Sequence, residues 1–93
     1  MKIHKLPVFK KDKRGIIYDC GKFKFLNRKK GSISADHFHN ESEILILIDG
    51  KIELTINDEV KIIKAPVKIG IPKNVYHKLK ALTNIKLIYE RKL

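Results

Sequence analysis

Short runs of β-branched and aromatic residues recur along the chain, separated by Gly, Pro, Asn and Asp. This spacing is typical of β-sandwiches and barrels, and no segment shows the period of an amphipathic helix. Residues 51–56 alternate cleanly, and Asp49-Gly50 before them is typical of a two-residue hairpin turn. We therefore predict a single all-β domain. The predicted strands are residues 15–19, 22–27, 32–39, 43–48, 51–56, 60–64, 67–71, 76–82 and 85–91.

Residues 1–14 are basic and contain Pro7. We predict an N-terminal arm or edge strand for this segment and one β domain for residues 15–93. So many strands in 93 residues leave edges that can pair with other chains. Closure into a barrel or pairing with a second copy would protect these edges, and we expect a homodimer.

The chain has a formal net charge of +11, from 21 Lys and Arg against 10 Asp and Glu. Such a field attracts anions. The cations are spread along the whole chain, and there is no Trp to interleave with them as in modules that bind single-stranded nucleic acid. We therefore expect an anionic or sugar-like small-molecule ligand rather than a nucleic acid.

The chain shows no feature of a secreted or membrane protein. Cys20 is its only cysteine, so an internal disulfide is impossible, which fits a reducing compartment. The first residues lack the apolar segment of a signal peptide. The longest apolar run, residues 44–48, is too short to span a membrane. We expect a cytoplasmic protein with no membrane partner.

Three histidines and a glutamate have the spacing of a metal site. His37 and His39 are two residues apart in one predicted strand, so their side chains point to the same face. A hairpin could bring Glu43 back beside them, and His77 lies near the start of a later predicted strand. Imidazole and carboxylate ligands without a thiolate suit Zn, Fe, Mn, Ni or Cu and argue against a zinc-finger type of site. We predict a divalent transition metal at these residues.

Gly31, His37, His39, Glu43 and Gly50 form the pattern G-x5-H-x-H-x3-E-x6-G. At all five positions the chain resembles the first motif of the cupin superfamily. This resemblance implies a single-domain jelly-roll β-barrel with a metal near one mouth, where the ligand enters. Because the His and Glu positions of the motif ligate the metal in cupins, it also implies that role for the residues here.

The second cupin motif, G-x5-P-x-G-x2-H-x3-N, is matched in part, at Pro72 and His77. Asn74 replaces the turn glycine of the motif, and Asn accepts a left-handed backbone better than most residues. Pro66 and Ala81 replace the first glycine and the asparagine. Since the histidine is kept, the resemblance implies that His77 is the fourth metal ligand.

Cupins include isomerases, epimerases, dioxygenases and non-catalytic sensors, so the fold alone leaves the function open. Asp12-Lys13-Arg14-Gly15 and Lys30-Gly31 are similar in placement to segments of cupins that act on nucleotide sugars. We favour a metal-dependent isomerase or epimerase of a sugar or sugar nucleotide. An Fe(II) dioxygenase and a ligand- or metal-sensing module are the alternatives, and we assign no catalytic base.

Overall fold

The computed structural model describes residues 1–37 and 40–92, and their side chains except those of residues 35–37 and 92. In this part of the chain the regular structure consists of β-strands, and no helix occurs. The strands are β1 (Val8–Asp12), β2 (Gly15–Asp19), β3 (Lys24–Arg28), β4 (Ile33–His37), β5 (Ser42–Asp49), β6 (Lys51–Ile56), β7 (Glu59–Lys64), β8 (Val67–Ile71), β9 (His77–Ala81) and β10 (Ile85–Lys92).

The strands form two antiparallel sheets. One sheet has six strands in the order β1-β2-β3-β10-β5-β8, and the other has four in the order β4-β9-β6-β7. Consecutive strands often lie in different sheets, which is the connectivity of a jelly roll. The prediction of an all-β jelly roll is confirmed. Among the described residues, the strand pairing leaves two separate sheets around a common core and does not close them into one ring.

The core between the sheets is built from every second residue of each strand. Leu45 and Leu47 of β5 are at most 2% exposed, whereas their neighbours Ile44 and Ile46 are only half-buried. Leu79 of β9 meets them from the facing sheet. Complete burial of one such side chain contributes roughly 1.5–3 kcal/mol. The other buried apolar side chains are Ile17, Leu26, Ile52, Leu54, Ile71, Ala81, Ile85 and Leu87.

Strand β3 begins two residues later than the predicted residues 22–27. Its inward face carries Leu26 and Arg28 rather than the aromatic residues of this segment. Phe23 precedes the strand and is 39% exposed, whereas Leu26 and Arg28 are 4% and 5% exposed. Phe25 lies opposite Tyr18 of β2, and the two rings stack with centroids 6.2 Å apart. Phe25 and Tyr18 therefore pair across the strands on the outer face. Leu26 and Arg28 occupy the inward positions of β3.

The turn predicted at Asp49-Gly50 exists, but the predicted hairpin is wrong. Strand β5 pairs with β10 and β8, whereas β6 pairs with β7 and β9, so this turn is a corner between the two sheets. Gly50 has a φ of 98°, and a Cβ at this position would lie 2.5 Å from the carbonyl oxygen of Asn84. An Asp-Gly pair supplies the left-handed backbone that a corner needs as readily as that of a hairpin.

Strand β1 is one of the two edge strands of the six-stranded sheet and pairs with β2. Val8 and Phe9 of this strand are 56% and 58% exposed. A free edge of this kind can pair with another chain. The part of the chain that the structure describes contains no helix that is long and apolar enough to cross a membrane.

Gly50→Ala should lower the free energy of unfolding by about 2–4 kcal/mol, because a methyl group would meet the Asn84 carbonyl and strain a left-handed backbone. Gly21→Ala is the matched control, since Gly21 has a φ of 88° and open space around it. In the control, only the strain of the left-handed backbone should lower the free energy of unfolding, by about 1 kcal/mol. Urea unfolding measures both losses, and equal losses would contradict a closely packed corner.

Candidate metal centre and cavity

The pairing of β4 with β9 brings two of the predicted ligands opposite each other. Ser34 pairs with Leu79, and His37 pairs with His77. The register shifts by one residue between these two pairs, so β4 carries a β-bulge. Without the shift, Asp36 and not His37 would lie opposite His77. The bulge therefore sets which residue of β4 is the backbone partner of His77.

The other predicted histidine, His39, lies outside the described residues, and for His37 only the backbone is described. Within the described side chains, no three His, Cys, Asp or Glu residues are grouped closely enough to hold a metal ion. The four-ligand site therefore stays a prediction, and the two ligands whose side chains are described are Glu43 and His77.

His77 is completely buried, with 0% of its surface exposed, in a strand that has neighbours on both sides. Its Nδ1 lies 3.3 Å from the carbonyl oxygen of Val75. A proton on Nδ1 would donate to this carbonyl and leave the lone pair on Nε2, which is the tautomer of a metal-bound imidazole. The surroundings of His77 therefore fit the role of a metal ligand.

Glu43 begins the inward-facing row of β5 and is 4% exposed. Arg91 of β10 is its backbone partner and donates from Nε to Oε2 of Glu43 at 3.3 Å. A buried carboxylate requires positive charge nearby, and Arg91 supplies one such charge. The predicted hairpin between β4 and β5 is wrong, because these strands belong to different sheets. Glu43 therefore projects from the wall that faces the histidine strand.

Glu43 and His77 lie at the same end of the domain. Glu43 pairs with Ile71, the last residue of β8. Residues 72–76 then lead into His77, the first residue of β9. Within this link Asn74 has a φ of 61°, which confirms that Asn takes the left-handed position of the turn glycine. The altered second motif still returns the chain to a strand that begins at the histidine.

A cavity of 290 Å³ lies between the two sheets. Its apolar wall is built by leucines of four strands, Leu26, Leu45, Leu79 and Leu87. The polar side chains that line it include Arg14, Arg28, Ser34, Glu43, Tyr89 and Arg91. The cavity therefore reaches the buried carboxylate of Glu43 and is otherwise lined mainly by cationic and apolar groups.

A cluster of Asp12, Arg14 and Arg28 lies where the turn between β1 and β2 meets the cavity. Arg14 donates to the Asp12 carboxylate from its backbone N–H and from Nη2, each at 2.9 Å. Hydrogen bonds from the Arg14 side chain and backbone lower the pKa of Asp12 to about 2. Arg28 is 5% exposed, and burial lowers the pKa of its guanidinium. The cluster thus places a largely desolvated cation against the cavity.

The sequence pattern does not mark Arg28 and Arg91 as cavity residues. Arg28 follows Leu26 at the two-residue spacing of a strand face, and Arg91 follows Tyr89 and Leu87 in the same way. This spacing is present in the sequence, but charged residues are rarely buried, so the spacing alone does not indicate an inward side chain. The pairing of β3 with β10 places Arg28 inward, whereas Arg91 reaches the cavity with 40% of its side chain exposed.

The family model described as "Cupin domain" matches residues 25–89. A search of curated protein sequences finds no significant match.

Solved structures share the fold at low sequence identity. An RmlC-like cupin from Shewanella frigidimarina is 15% identical and superposes with a TM-score of 0.76, over 96% of this chain and 86% of that one. The capsular polysaccharide assembling protein CapF from Staphylococcus aureus is 19% identical, with a TM-score of 0.79 over 97% of this chain. A conserved protein of unknown function from Streptococcus pyogenes is 18% identical, with a TM-score of 0.71 over 75% of this chain. The chain spans 29% of CapF and 61% of the S. pyogenes protein.

Proposed function

Because the chain belongs to the cupin domain family, we propose that it is a metal-dependent isomerase or epimerase that acts on a sugar or sugar nucleotide. The observation that carries the metal part is the convergence of Glu43 and His77. Both are almost fully buried, they begin inward-facing rows in opposite sheets, and they lie at the same end of the domain.

The proposed ligand set is His37, His39, Glu43 and His77, with Zn, Fe, Mn or Ni as the metal. The donor chemistry fits, since buried imidazole and carboxylate groups suit these ions. When bound, such a metal supplies Lewis acidity toward neighbouring carbonyl and hydroxyl oxygens. The Val75 carbonyl would orient His77, and Arg91 would orient Glu43.

The sugar part of the proposal rests on a structural relative and on the charge of the cavity. The S. aureus relative is named for assembling capsular polysaccharide, and the cavity is rich in cations that would hold an anionic group. Tyr89 lines the cavity and carries a hydroxyl that can exchange a proton with a substrate. Tyr89 would thus serve in the proton transfer that an isomerase or epimerase requires.

Glu43→Gln and His77→Asn should each lower the bound metal by at least about tenfold, because loss of one ligand of four removes a large part of the binding free energy. Elemental analysis of the purified variants measures this loss. His4→Ala is the control, since His4 is an exposed histidine outside the motif and its loss should leave the metal content unchanged. Full metal content in both site variants would refute the proposed ligand set.

The metal-loaded protein should exchange deuterium from D₂O into keto-sugars or nucleotide-linked keto-sugars at the carbon next to the carbonyl. Proton NMR measures the exchange. Tyr89→Phe should slow it by about 10²-fold or more while metal is retained. Oxygen uptake by the Fe(II) form would favour a dioxygenase instead, and ligand binding without exchange would favour a sensing module.

We also propose a homodimer that pairs through the free edge of β1. Light scattering should then give twice the chain mass of 10.8 kDa. Val8→Lys should shift the protein toward monomer, because a charge on the edge opposes pairing. Val60→Lys is the matched control, since Val8 and Val60 are both 56% exposed but Val60 lies on the edge of the other sheet. A monomeric mass for the unsubstituted protein would refute the proposal.

A further inference from the structure

We propose that the part of the cavity lined by Arg14, Arg28 and Ser34, here called the arginine end, binds a small organic anion. The ligand would be a carboxylate or a phosphate monoester with an apolar body. Arg28 and Ser34 would hold the charged group, and the leucines of the cavity would contact the body. This site does not depend on a metal.

Two buried donor groups at the arginine end have no hydrogen-bond partner among the described residues, namely Arg28 Nε and Ser34 Oγ. Both side chains line the cavity, and they are 5% and 9% exposed. A buried donor without a partner is costly, so such groups in folded proteins are normally satisfied by an acceptor. An oxyanion in the cavity would accept from both.

Asp12 does not satisfy the charge of Arg28. The carboxylate of Asp12 accepts from the backbone N–H, Nε and Nη2 of Arg14. In contrast, Nη1 of Arg28 lies 3.8 Å from Asp12 Oδ1, which is beyond hydrogen-bond distance. One carboxylate therefore faces two guanidinium groups, and the more deeply buried of the two is the one with excess charge. A bound anion would neutralise it.

Arg28 lies far from Glu43 along the six-stranded sheet, whereas Ser34 pairs with Leu79, two residues from His77. On β10, Ile85 is the partner of Arg28, and Arg91 is the partner of Glu43. Ile85 and Arg91 are six residues apart, which corresponds to roughly 20 Å of extended strand. An anion held by Arg28 and Ser34 is therefore recognised by groups other than the predicted metal ligands, and Arg28 holds it on the side away from Glu43.

The cavity wall between Arg28 and Glu43 favours a ligand with an apolar body. Leu26, Leu45, Leu79 and Leu87 line it, and each is at most 4% exposed. The volume of 290 Å³ is at the lower limit of small-molecule pockets. A benzoate-sized molecule suits both the volume and the lining.

Calorimetric titration at constant ionic strength tests this site with three probes of similar size: benzoate, phenyl phosphate and the neutral benzyl alcohol. Metal is removed with a chelating resin beforehand, because a soluble chelator is itself an anion. At least one anion should bind about tenfold or more tightly than benzyl alcohol. Binding of benzoate alone assigns a carboxylate ligand, and binding of phenyl phosphate alone assigns a phosphate ester.

Arg28→Met should weaken anion binding by at least about tenfold, and Ser34→Ala should weaken it several-fold. Lys61→Met removes the same unit charge from a side chain that is 68% exposed on β7, and should change affinity by less than about twofold. Without anion, Arg28→Met should be as heat-stable as the unsubstituted protein or more so, whereas a purely structural arginine would leave it less stable.

If Arg28→Met does not fold, Ser34→Ala and the neutral probe carry the test. Equal binding of benzyl alcohol and the anions would overturn the proposal. So would anion binding that Ser34→Ala leaves unchanged, or the absence of binding by either anion in the millimolar range.

Discussion

Each strand can turn only alternate side chains toward the space between the two sheets, and the rest of this structure depends on that constraint. In the middle of the strands the inward positions are leucines and isoleucines, which form the core. Toward the strand ends the same rows continue with Glu43, His77 and Arg28. These polar groups are buried because they share a face with core residues, so core and functional positions are set by one register.

Burial gives these polar groups their chemical character. Glu43 and Arg28 both line one cavity. Each carries a charge that is shielded from water, so each needs an opposite charge close by. Glu43 has Arg91 as a close partner, whereas the carboxylate paired with Arg28 among the described side chains is that of Asp12, at 3.8 Å. The cavity is therefore electrostatically uneven along its length, with its negative group at the end where His77 lies.

Much of the architecture could be predicted from the sequence, because short β-branched runs and turn residues define strands locally. The pairing of those strands could not. Asp49-Gly50 is equally suited to a hairpin or to a corner between sheets, and only the long-range partners of β5 and β6 decide between them. Similarly, the spacing of His37, Glu43 and His77 identified candidate ligands, but Arg28 required knowledge that β3 turns Leu26 inward.

The one-residue register shift in β4 has a consequence for how the gene can vary in length. The shift lies between Ser34 and His37, and it is what sets His37 opposite His77. Deleting a single codon within the bulge would restore a regular ladder and still leave the histidine at that position. The same deletion would shorten the stretch between Gly31 and His37 and erase the G-x5-H spacing. Homologues with an intact histidine pair could therefore escape recognition by that motif.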